Sequence, residues 1–415
     1  MKKIWRFLAK RSVTMLAGFV ITGLGVANVL GHLPSDVVQR LDYLIYDVRL
    51  RADVATPVKD DRIVIVDIDE KSLKEVGRWP WSRAVVAKMV TELTDNLGAA
   101  VVAFDVVFAE PEQSDAMEVA ELLKNQSSTL QSEIEPLVPA LKQAFDRDAQ
   151  LADVIKQRPV VLGYYFNQNE NAMSGALPPP LFKRSQLGGL ALQATEWQGY
   201  GANLYKLQRA ADGGYFNPIL DSDGTVRSVP LMVEYDEGFY QSLALATLRT
   251  ALGNPQVIPV FPAGVPDDYG ALEILALRSA ELELDIPIQR GMLTLVNYRA
   301  KGGPEGGGYE YISASDILAG TIKPEAIAGR IVLVGTTAPG LLDLRSTPVN
   351  PAFPGVEVHA NVLSSMLDGK AKLKPEFAQG VLLISVVVVG LILSFLMPFL
   401  SAVWSMLLAS SVLIG

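Results

Sequence analysis

Three consecutive stretches decide the fold: DRIVIVDID (61–69), RAVVAKMVTELTDNLG (83–98) and AAVVAFDVVF (99–108). The first and third are short apolar runs rich in β-branched residues, which is typical of buried strands. The second has apolar residues at helical spacing and ends in glycine, which predicts an amphipathic helix. A strand, a helix and a strand in this order predict a parallel pair joined by a right-handed crossover.

The α/β pattern continues along the chain and is interrupted by a central segment of different character. Further helices are predicted at 138–157, 239–253 and 354–369, and further strands at 159–166, 221–235, 271–298 and 329–337. Residues 221–235 and 271–298 have turn residues and alternating apolar positions, as antiparallel strands do. The sequence therefore predicts an α/β domain with a parallel-sheet core, βαβ units and a β-rich central insertion.

Composition excludes several classes of protein. Nearly half of the 415 residues are apolar, which is enough for a large core and excludes a disordered chain. The absence of cysteine excludes disulfide frameworks, thiolate metal sites and a cysteine nucleophile, and two histidines exclude a multi-histidine metal centre. The net charge of −9 argues against a nucleic-acid partner.

The amino terminus has the pattern of a membrane anchor. Residues 1–11 carry five Lys or Arg, and residues 12–33 carry no charged side chain. The uncharged run is long enough for one span, and the lack of an A-x-A-like site favours an anchor over a cleaved signal peptide. Because basic flanks stay in the cytoplasm, residues 1–11 are predicted there, and residues 34–378 are predicted to form an extracytoplasmic domain.

The carboxyl end predicts further membrane helices. Residues 377–415 contain no charge, which is too long a run for one span, and Pro398 divides it. We expect a second transmembrane helix at 379–397 and the start of a third at 399–415, with the natural chain continuing beyond Gly415. A helix predicted at 36–53 follows the first span directly, so short connectors could pass a shift in the domain to the membrane helices.

Acidic side chains follow the predicted strands, at the edge where open α/β sheets bind ligands. Asp67 and Asp69 end the first strand, Asp105 follows the second, and Asp343 follows strand 329–337 after a Gly/Thr-rich turn. Carboxylates that converge repel one another unless a cation or arginine neutralises them. One interpretation is therefore a site for a small ligand or a divalent cation, with Asp69, Asp105 and Asp343 as the metal ligands.

The segment GRWPWSR (77–83) supplies candidate side chains of another kind. Four of them could form an aromatic and cationic wall for a ligand: Arg78, Trp79, Trp81 and Arg83. The structural alternative is that the indoles cover the edge of the core. In that alternative the acids cap helices and pair with these arginines and with Arg345.

Three weaker features complete the candidates. The stretch 221–227 resembles a calcium loop but lacks the distal glutamate, so a hairpin turn at 223–224 is favoured. Backbone amides of the loop 335–348 could hold an anion, although the Gly-Lys-Ser/Thr ending of a P-loop is missing and a tight turn explains the pattern equally well. His359 is expected to be a buried core residue of its helix.

Six blocks together resemble the CHASE type-2 family of extracytoplasmic sensory domains. In chain order they are VDIDEKSLKEVGRWPWSR (66–83), LGAAVVAFDVVFAEPE (97–112), DSDGTVRSVPLM (221–232), ISASDILAG (312–320), GRIVLVGTTAPGLLDLRSTPVN (329–350) and PGVEVHANVLSSML (354–367). The resemblance implies a multi-pass protein of the bacterial inner membrane, with one span before the sensory domain and usually three after it, followed by a cytoplasmic effector.

The resemblance also sets the functional expectations. The chain is expected to be the input module of a transmembrane receptor, with a class III adenylate or guanylate cyclase, which needs Mg or Mn, as the output. A histidine or Ser/Thr kinase is the alternative output. Other classes left open are an envelope scaffold and an anchored hydrolase that uses Asp69 and Asp105. The expected partners are membrane lipid, a second copy of the chain and an unidentified small molecule or ion, with no cofactor in this segment apart from a divalent cation.

Overall fold

The computed structural model describes residues 2–33, 36–112, 115–125, 128–264, 266–267, 269–338, 340–341, 343–372 and 377–414. Internal contacts divide the chain into two compact units. One consists of Met1–Tyr46 with Lys374–Gly415, and the other is the single stretch Asp47–Leu373.

The helices alternate with the strands through most of the larger unit. The α-helices are α1 (Lys2–Val29), α2 (Asp36–Asp53), α3 (Glu70–Val76), α4 (Arg83–Thr91), α5 (Asp115–Lys124), α6 (Ser128–Ile134), α7 (Val138–Ala144), α8 (Arg147–Ile155), α9 (Tyr205–Gln208), α10 (Leu243–Ala251), α11 (Ala314–Leu318), α12 (Gly355–Leu367), α13 (Ala378–Leu396) and α14 (Ala402–Ile414).

The strands are short, apart from β1, β3 and β16. They are β1 (Ile63–Ile68), β2 (Val101–Phe104), β3 (Val160–Asn167), β4 (Met173–Ser174), β5 (Phe182–Lys183), β6 (Gly199–Gly201), β7 (Asp212–Tyr215), β8 (Ser228–Pro230), β9 (Met232–Tyr235), β10 (Gly238–Gln241), β11 (Gln256–Val260), β12 (Ile274–Arg278), β13 (Glu283–Pro287), β14 (Leu293–Leu295), β15 (Glu310–Ser313), β16 (Ile331–Thr336), β17 (Leu344–Arg345) and β18 (Phe353–Pro354).

The main sheet is parallel at its centre, as the sequence predicts, but its strand order differs from the prediction. The order is β15-β1-β16-β2-β3, β7 also pairs with β3 in parallel, and β6 and β4 extend the far edge. Strand β16 pairs with β1 on one side and with β2 on the other, so β1 and β2 are not neighbours. The predicted β1–β2 pair is therefore wrong, because a strand from the end of the domain lies between them.

Helices cover both faces of this sheet. On one face α3, α4, α8 and α11 enclose an apolar core that includes Val64 and Val66 of β1. On the other face α12 packs on β1 and β16, and α10 packs on β2, β3 and β7. A Cβ atom at Gly335 would lie 2.5 Å from the Cβ of Val356, so the first turn of α12 crosses β16 in direct contact. The start of α12 therefore lies at the carboxyl end of the parallel strands.

The central part is rich in β-structure, although several predicted bounds are wrong. It contains the antiparallel sheets β5-β10-β9 and β11-β12-β13 and the pair β14-β8. The predicted turn at 223–224 is present, since the Gly224 N–H bonds the Asp221 carbonyl at 2.8 Å and the Asp221 N–H bonds the Thr225 carbonyl at 3.1 Å; it leads into β8, whose strand partner is β14. The helix predicted at 239–253 begins at Leu243, because the preceding residues form β10.

The helix predicted at 138–157 is two helices, α7 and α8. The second begins after Asp146, whose side chain accepts a hydrogen bond from the N–H of Ala149 at 2.9 Å. This is an ordinary N-terminal cap.

The smaller unit contains the apolar helices. Two segments, Arg11–Val29 and Ala378–Phe399, are long and apolar enough to cross a membrane by length and composition. Within this unit α1 and α13 are antiparallel neighbours, because Gly18 meets Ser394 and Thr22 meets Gly390. Small residues at such contacts let two membrane helices approach closely. A short 3₁₀ turn at Met397–Phe399 separates α13 from α14 at the predicted break.

Candidate ligand-binding site

The two acids of the first strand are held by hydrogen bonds from the protein itself. Asp67 is buried and accepts bonds from the N–H and the Oγ1 of Thr337, at 3.0 and 2.5 Å. Burial, with a smaller contribution from Asp69, raises the pKa of Asp67 to about 6. Asp69 caps α3 by accepting from the N–H of Ser72 at 2.7 Å, and it also accepts from Ser313 Oγ at 2.9 Å. These contacts agree with the structural alternative for Asp69, which caps a helix.

The GRWPWSR segment also has structural contacts. Trp81 is buried in the core, donates its indole N–H to the Gly77 carbonyl at 2.8 Å, and lies edge-to-face with Trp79 at 5.4 Å between ring centroids. Arg83 is buried and pairs with Asp148 at 3.0 Å, while Arg78 is exposed. Trp79, Trp81 and Arg83 thus have structural contacts, with the indoles against the core, whereas Arg78 is exposed.

Three of the predicted residues do come together, and His359 joins them. Arg345 pairs with Asp343 at 2.6 Å, and His359 Nε2 lies 3.7 Å from Asp105 Oδ1. Asp343, Arg345 and His359 line the same cavity, so the two pairs form one cluster. The cluster lies at the carboxyl end of β2, against the first turns of α12.

Burial determines the charge of this cluster. The pKa of Asp105 is raised to about 8, mainly by burial and then by the negative charge of Asp343, with Arg345 opposing. Burial, with the positive charge of Arg345, lowers the pKa of His359 to about 4, although a hydrogen bond with the Phe216 backbone opposes the shift. At neutral pH Asp105 is therefore protonated and His359 is uncharged, so their contact is not an ion pair.

A narrow cavity opens beside this cluster. Its enclosed volume is about 10 Å³, which is room for about one water molecule, and the rest of the depression is open to solvent. The lining residues are Tyr215, Phe216, Asn217, Pro218, Val229, Pro230, Ser242, Ala244, Asp343, Arg345, Gly355, Val358 and His359. Mostly apolar walls with a few converging polar groups are the usual character of a small-molecule site.

Arg345 provides an unused donor in this cavity. Its Nε is buried and has no hydrogen-bond partner among the residues that the structure describes. The other end of the guanidinium is bonded to Asp343, whose carboxylate lies against the backbone of Gly355 at the start of α12. An arginine with a free N–H can take a carbonyl, carboxylate or phosphate oxygen of a ligand.

The acids named for a metal do not form one site. Within the described parts of the chain, no group of three or more His, Asp or Glu side chains is arranged to hold a metal ion. Asp69 is engaged with Ser72 and Ser313, whereas Asp105 and Asp343 belong to the cavity cluster. In the described residues the cavity cluster thus contains two of the three acids named for a cation, and Asp69 has hydrogen bonds of its own.

Sequence reasoning missed the part of the cavity that comes from the central insertion. Asn217 and Ser242 line the cavity although they are distant in sequence from its other residues. His359 is buried, as expected of a core residue, and it also lines the cavity. The pattern that could have identified His359 is its position one turn into a helix that begins shortly after Asp343 and Arg345.

The loop that carries Asp343 and Arg345 is bonded to helix α2. Arg51 donates its Nε–H to the Pro348 carbonyl at 2.6 Å, and the N–H of Val226 donates to the Ser346 carbonyl at 2.8 Å. Next to Val226, Arg227 is buried and makes a two-pronged ion pair with Asp47 of α2 at 2.8 and 2.9 Å. A change at the cavity therefore has a direct, hydrogen-bonded route to α2.

Comparison with known families identifies the domain. The model of the CHASE2 domain matches residues 16–392, which is most of the chain. The chain belongs to the CHASE2 family. CHASE2 domains are extracytoplasmic sensory domains of signalling receptors, and the two apolar helices fit membrane anchoring of this one. No curated protein and no solved structure matches the chain.

Proposed function

We propose that this CHASE2 chain is the input module of a receptor whose cytoplasmic effector is a class III adenylate or guanylate cyclase. In this proposal the receptor lies in the bacterial inner membrane, residues 1–11 are cytoplasmic, and residues 34–378 face the periplasm. The observation that carries it is the cavity at Arg345, because the loop that forms its wall is bonded directly to α2.

A ligand in the cavity acts on this route through local contacts. A ligand oxygen that bonds the free Nε of Arg345 competes with Asp343 for the guanidinium and moves the loop that carries both residues. The same loop contains Ser346 and Pro348, which bond the Val226 backbone and Arg51. Because packed elements switch between discrete arrangements, a shift of the loop repositions α2 as a whole.

The test uses the full-length receptor in membranes. We expect Arg345→Ala to change basal production of cAMP or cGMP in the presence of Mg or Mn, because it disrupts the pair with Asp343. Arg78→Ala is the matched control, since Arg78 is exposed and lies outside the cavity, and it should leave output unchanged. Phosphoryl transfer from ATP without cyclic nucleotide would indicate the kinase alternative. Output that is insensitive both to Arg345→Ala and to deletion of 34–378 would contradict a sensory role and favour a scaffold.

We also propose that two copies associate through α2, as a dimeric effector requires. Four apolar side chains of α2 recur at spacings of three, four and three residues, and each is more than half exposed: Val38, Leu41, Ile45 and Val48. This is the a/d spacing of a coiled coil, with Val38 and Ile45 at a and with Leu41 and Val48 at d; β-branched residues at a favour parallel two-stranded pairs. Two copies anchored in one membrane present their α2 helices in the same direction, which is the orientation that this seam needs.

The absence of native cysteine makes this seam easy to test. Ile45→Cys should form a disulfide-linked dimer in oxidised membranes, because its Cβ lies in the proposed seam. Arg40→Cys, on the same helix but outside the a/d stripe, should cross-link much less. Equal cross-linking of both variants would show random collision and would contradict the seam.

A further inference from the structure

Glu357 is a buried carboxyl group with one oxygen unused. It lies in the first turn of α12 and is 0 % exposed. Its Oε2 accepts hydrogen bonds from the Gly303 N–H and the Tyr311 hydroxyl, both at 2.7 Å. Its Oε1 is buried and has no partner in the described part of the chain. An ionised carboxylate with a bare, buried oxygen is strongly disfavoured.

A glycine-rich loop, KGGPEGGG (301–308), covers this carboxyl group. A Cβ atom at Gly308 would lie 3.2 Å from Oε1, a tight contact that the glycine avoids. Gly303 and Gly307 have φ of 82° and 78°, a region that favours glycine. The loop has fixed ends, because Asp60 N–H bonds the Gly308 carbonyl at 3.0 Å and Asn350 Nδ2 bonds the Lys301 carbonyl at 2.9 Å.

Burial, rather than a neighbouring charge, favours the neutral form of Glu357. Titratable groups lie on each element around Glu357. The segment of β15 contributes Tyr309 and Tyr311, with Asp67 of β1 beyond Tyr311. The loop contributes the exposed Lys301 and Glu305, and Arg299, which bonds Asp368, precedes it; the groups around α12 are His359, Asp105, Asp343 and Arg345. Burial raises the pKa of Glu357 to about 7, while the bonds from Tyr311 and Gly303 oppose this.

We propose that Glu357 is a proton-binding site, and that the proton it exchanges with solvent controls the closure of the 301–308 loop. With the proton bound, the neutral carboxyl stays beneath the closed loop. Loss of the proton to solvent leaves a charge on the carboxylate, and the glycine loop opens to let water reach Oε1. The periplasmic stimulus of this domain then includes pH.

The loop is connected to the same output route as the cavity. The side chain of Asn350 bonds the Lys301 carbonyl, and the backbone carbonyl of Asn350 accepts a hydrogen bond from the Thr347 hydroxyl. Pro348 follows Thr347, and its carbonyl accepts a hydrogen bond from Arg51 of α2. Opening of the loop therefore pulls on the segment that contacts α2. This last step rests on the proposed receptor function, whereas proton binding by Glu357 does not.

Infrared difference spectroscopy of the full chain in lipid nanodiscs measures the site directly. Between pH 5.5 and 8.5 we expect loss of a protonated-carboxyl C=O band with a midpoint near 7, absent in Glu357→Gln and retained in Glu305→Gln. Asp67→Asn and Asp105→Asn separate the two other buried acids, whose bands should titrate about one pH unit lower and one pH unit higher than that of Glu357. A midpoint-7 band that persists in Glu357→Gln would overturn the proposal.

Hydrogen exchange provides the conformational readout. After correction for the intrinsic pH dependence, amides of 301–308 should exchange about tenfold faster at pH 8 than at pH 6 in the wild type. The change should be absent in Glu357→Gln, and equal exchange at both pH values in the wild type would overturn the loop response.

If Arg345→Ala alters receptor output while Glu357 does not titrate, only the proton site fails. If Glu357 titrates but neither Arg345→Ala nor pH alters output, the receptor proposal fails instead.

Discussion

Replacing Arg227 tests whether the ion pairs at α2 hold the helix to the sensory domain. The Arg227 side chain is 5 % exposed and contacts three carboxylates: Asp47 on α2, Asp221 and Asp223. In Arg227→Met the buried Asp47 loses its two-pronged partner. Removing one member of a buried pair costs about 3–5 kcal/mol, because the other charge remains without compensation. For a domain of this size, that loss corresponds to a fall in melting temperature of about 5 °C.

The assay is thermal and denaturant unfolding of the full chain in detergent, combined with a double-mutant cycle. Asp47→Leu with Arg227→Met should recover part of the loss, because an apolar pair replaces the stranded charge. Asp223 is the internal comparison, since its side chain is one-third exposed, and Asp223→Asn should cost at most about 1 kcal/mol. A loss in Arg227→Met no larger than that in Asp223→Asn would refute the reasoning.

Two further predictions concern the membrane helices and the cavity. Gly390→Leu should weaken the α1–α13 contact, because a Cβ atom at Gly390 would lie 2.4 Å from Thr22 Oγ1. Gly380→Leu on the same helix is the control, because its side chain meets open space. Thermal unfolding in nanodiscs should therefore show the larger loss of stability for Gly390→Leu, and equal losses would contradict the contact. Asp105 has a pKa of about 8, above its ordinary 3.8, so the folded state retains a proton that the unfolded state releases and stability falls as pH rises from about 4 to 8. In Asp105→Asn that contribution disappears, so the free energy of unfolding should fall less between pH 5 and 9, and a slope equal to wild type would contradict the buried acid.

Local patterns were sufficient for the elements of the sheet but not for its order. The apolar runs that contain β1 and β16 are recognisable because short runs rich in β-branched residues are typical of buried strands. Their pairing is not recognisable, since more than 200 residues separate β1 from β16 and the contact depends on closure of the whole domain. The same limitation hid β10, where four strand residues precede a helix without a break in the apolar pattern.

The candidate site was predictable only in part, for a related reason. Asp105 and Asp343 follow predicted strands, so the rule that ligands bind at the carboxyl ends of strands placed them at one edge of the sheet, and the structure brings them together with Arg345. Asp69 also follows a strand, but its side chain caps α3. The sequence allowed both interpretations of Asp69, as a ligand-binding acid and as a helix cap. The apolar walls of the cavity come from the central insertion, and no local pattern states which sheet edge an insertion will cover.

Helix α12 explains how one domain can combine these features. It is buried nearly throughout, yet three of its polar side chains each form a hydrogen bond with a different part of the chain. Glu357 bonds the Tyr311 hydroxyl, Asn361 bonds the Arg299 N–H, and Ser364 bonds the Asp60 carboxylate. Satisfied polar contacts fix the register of a buried helix more strictly than apolar packing does, because any slip would leave several groups unpaired. The cavity at Arg345 and the carboxyl group beneath the glycine loop both lie at the first turns of α12, so both proposed sites act on the same rigidly held helix.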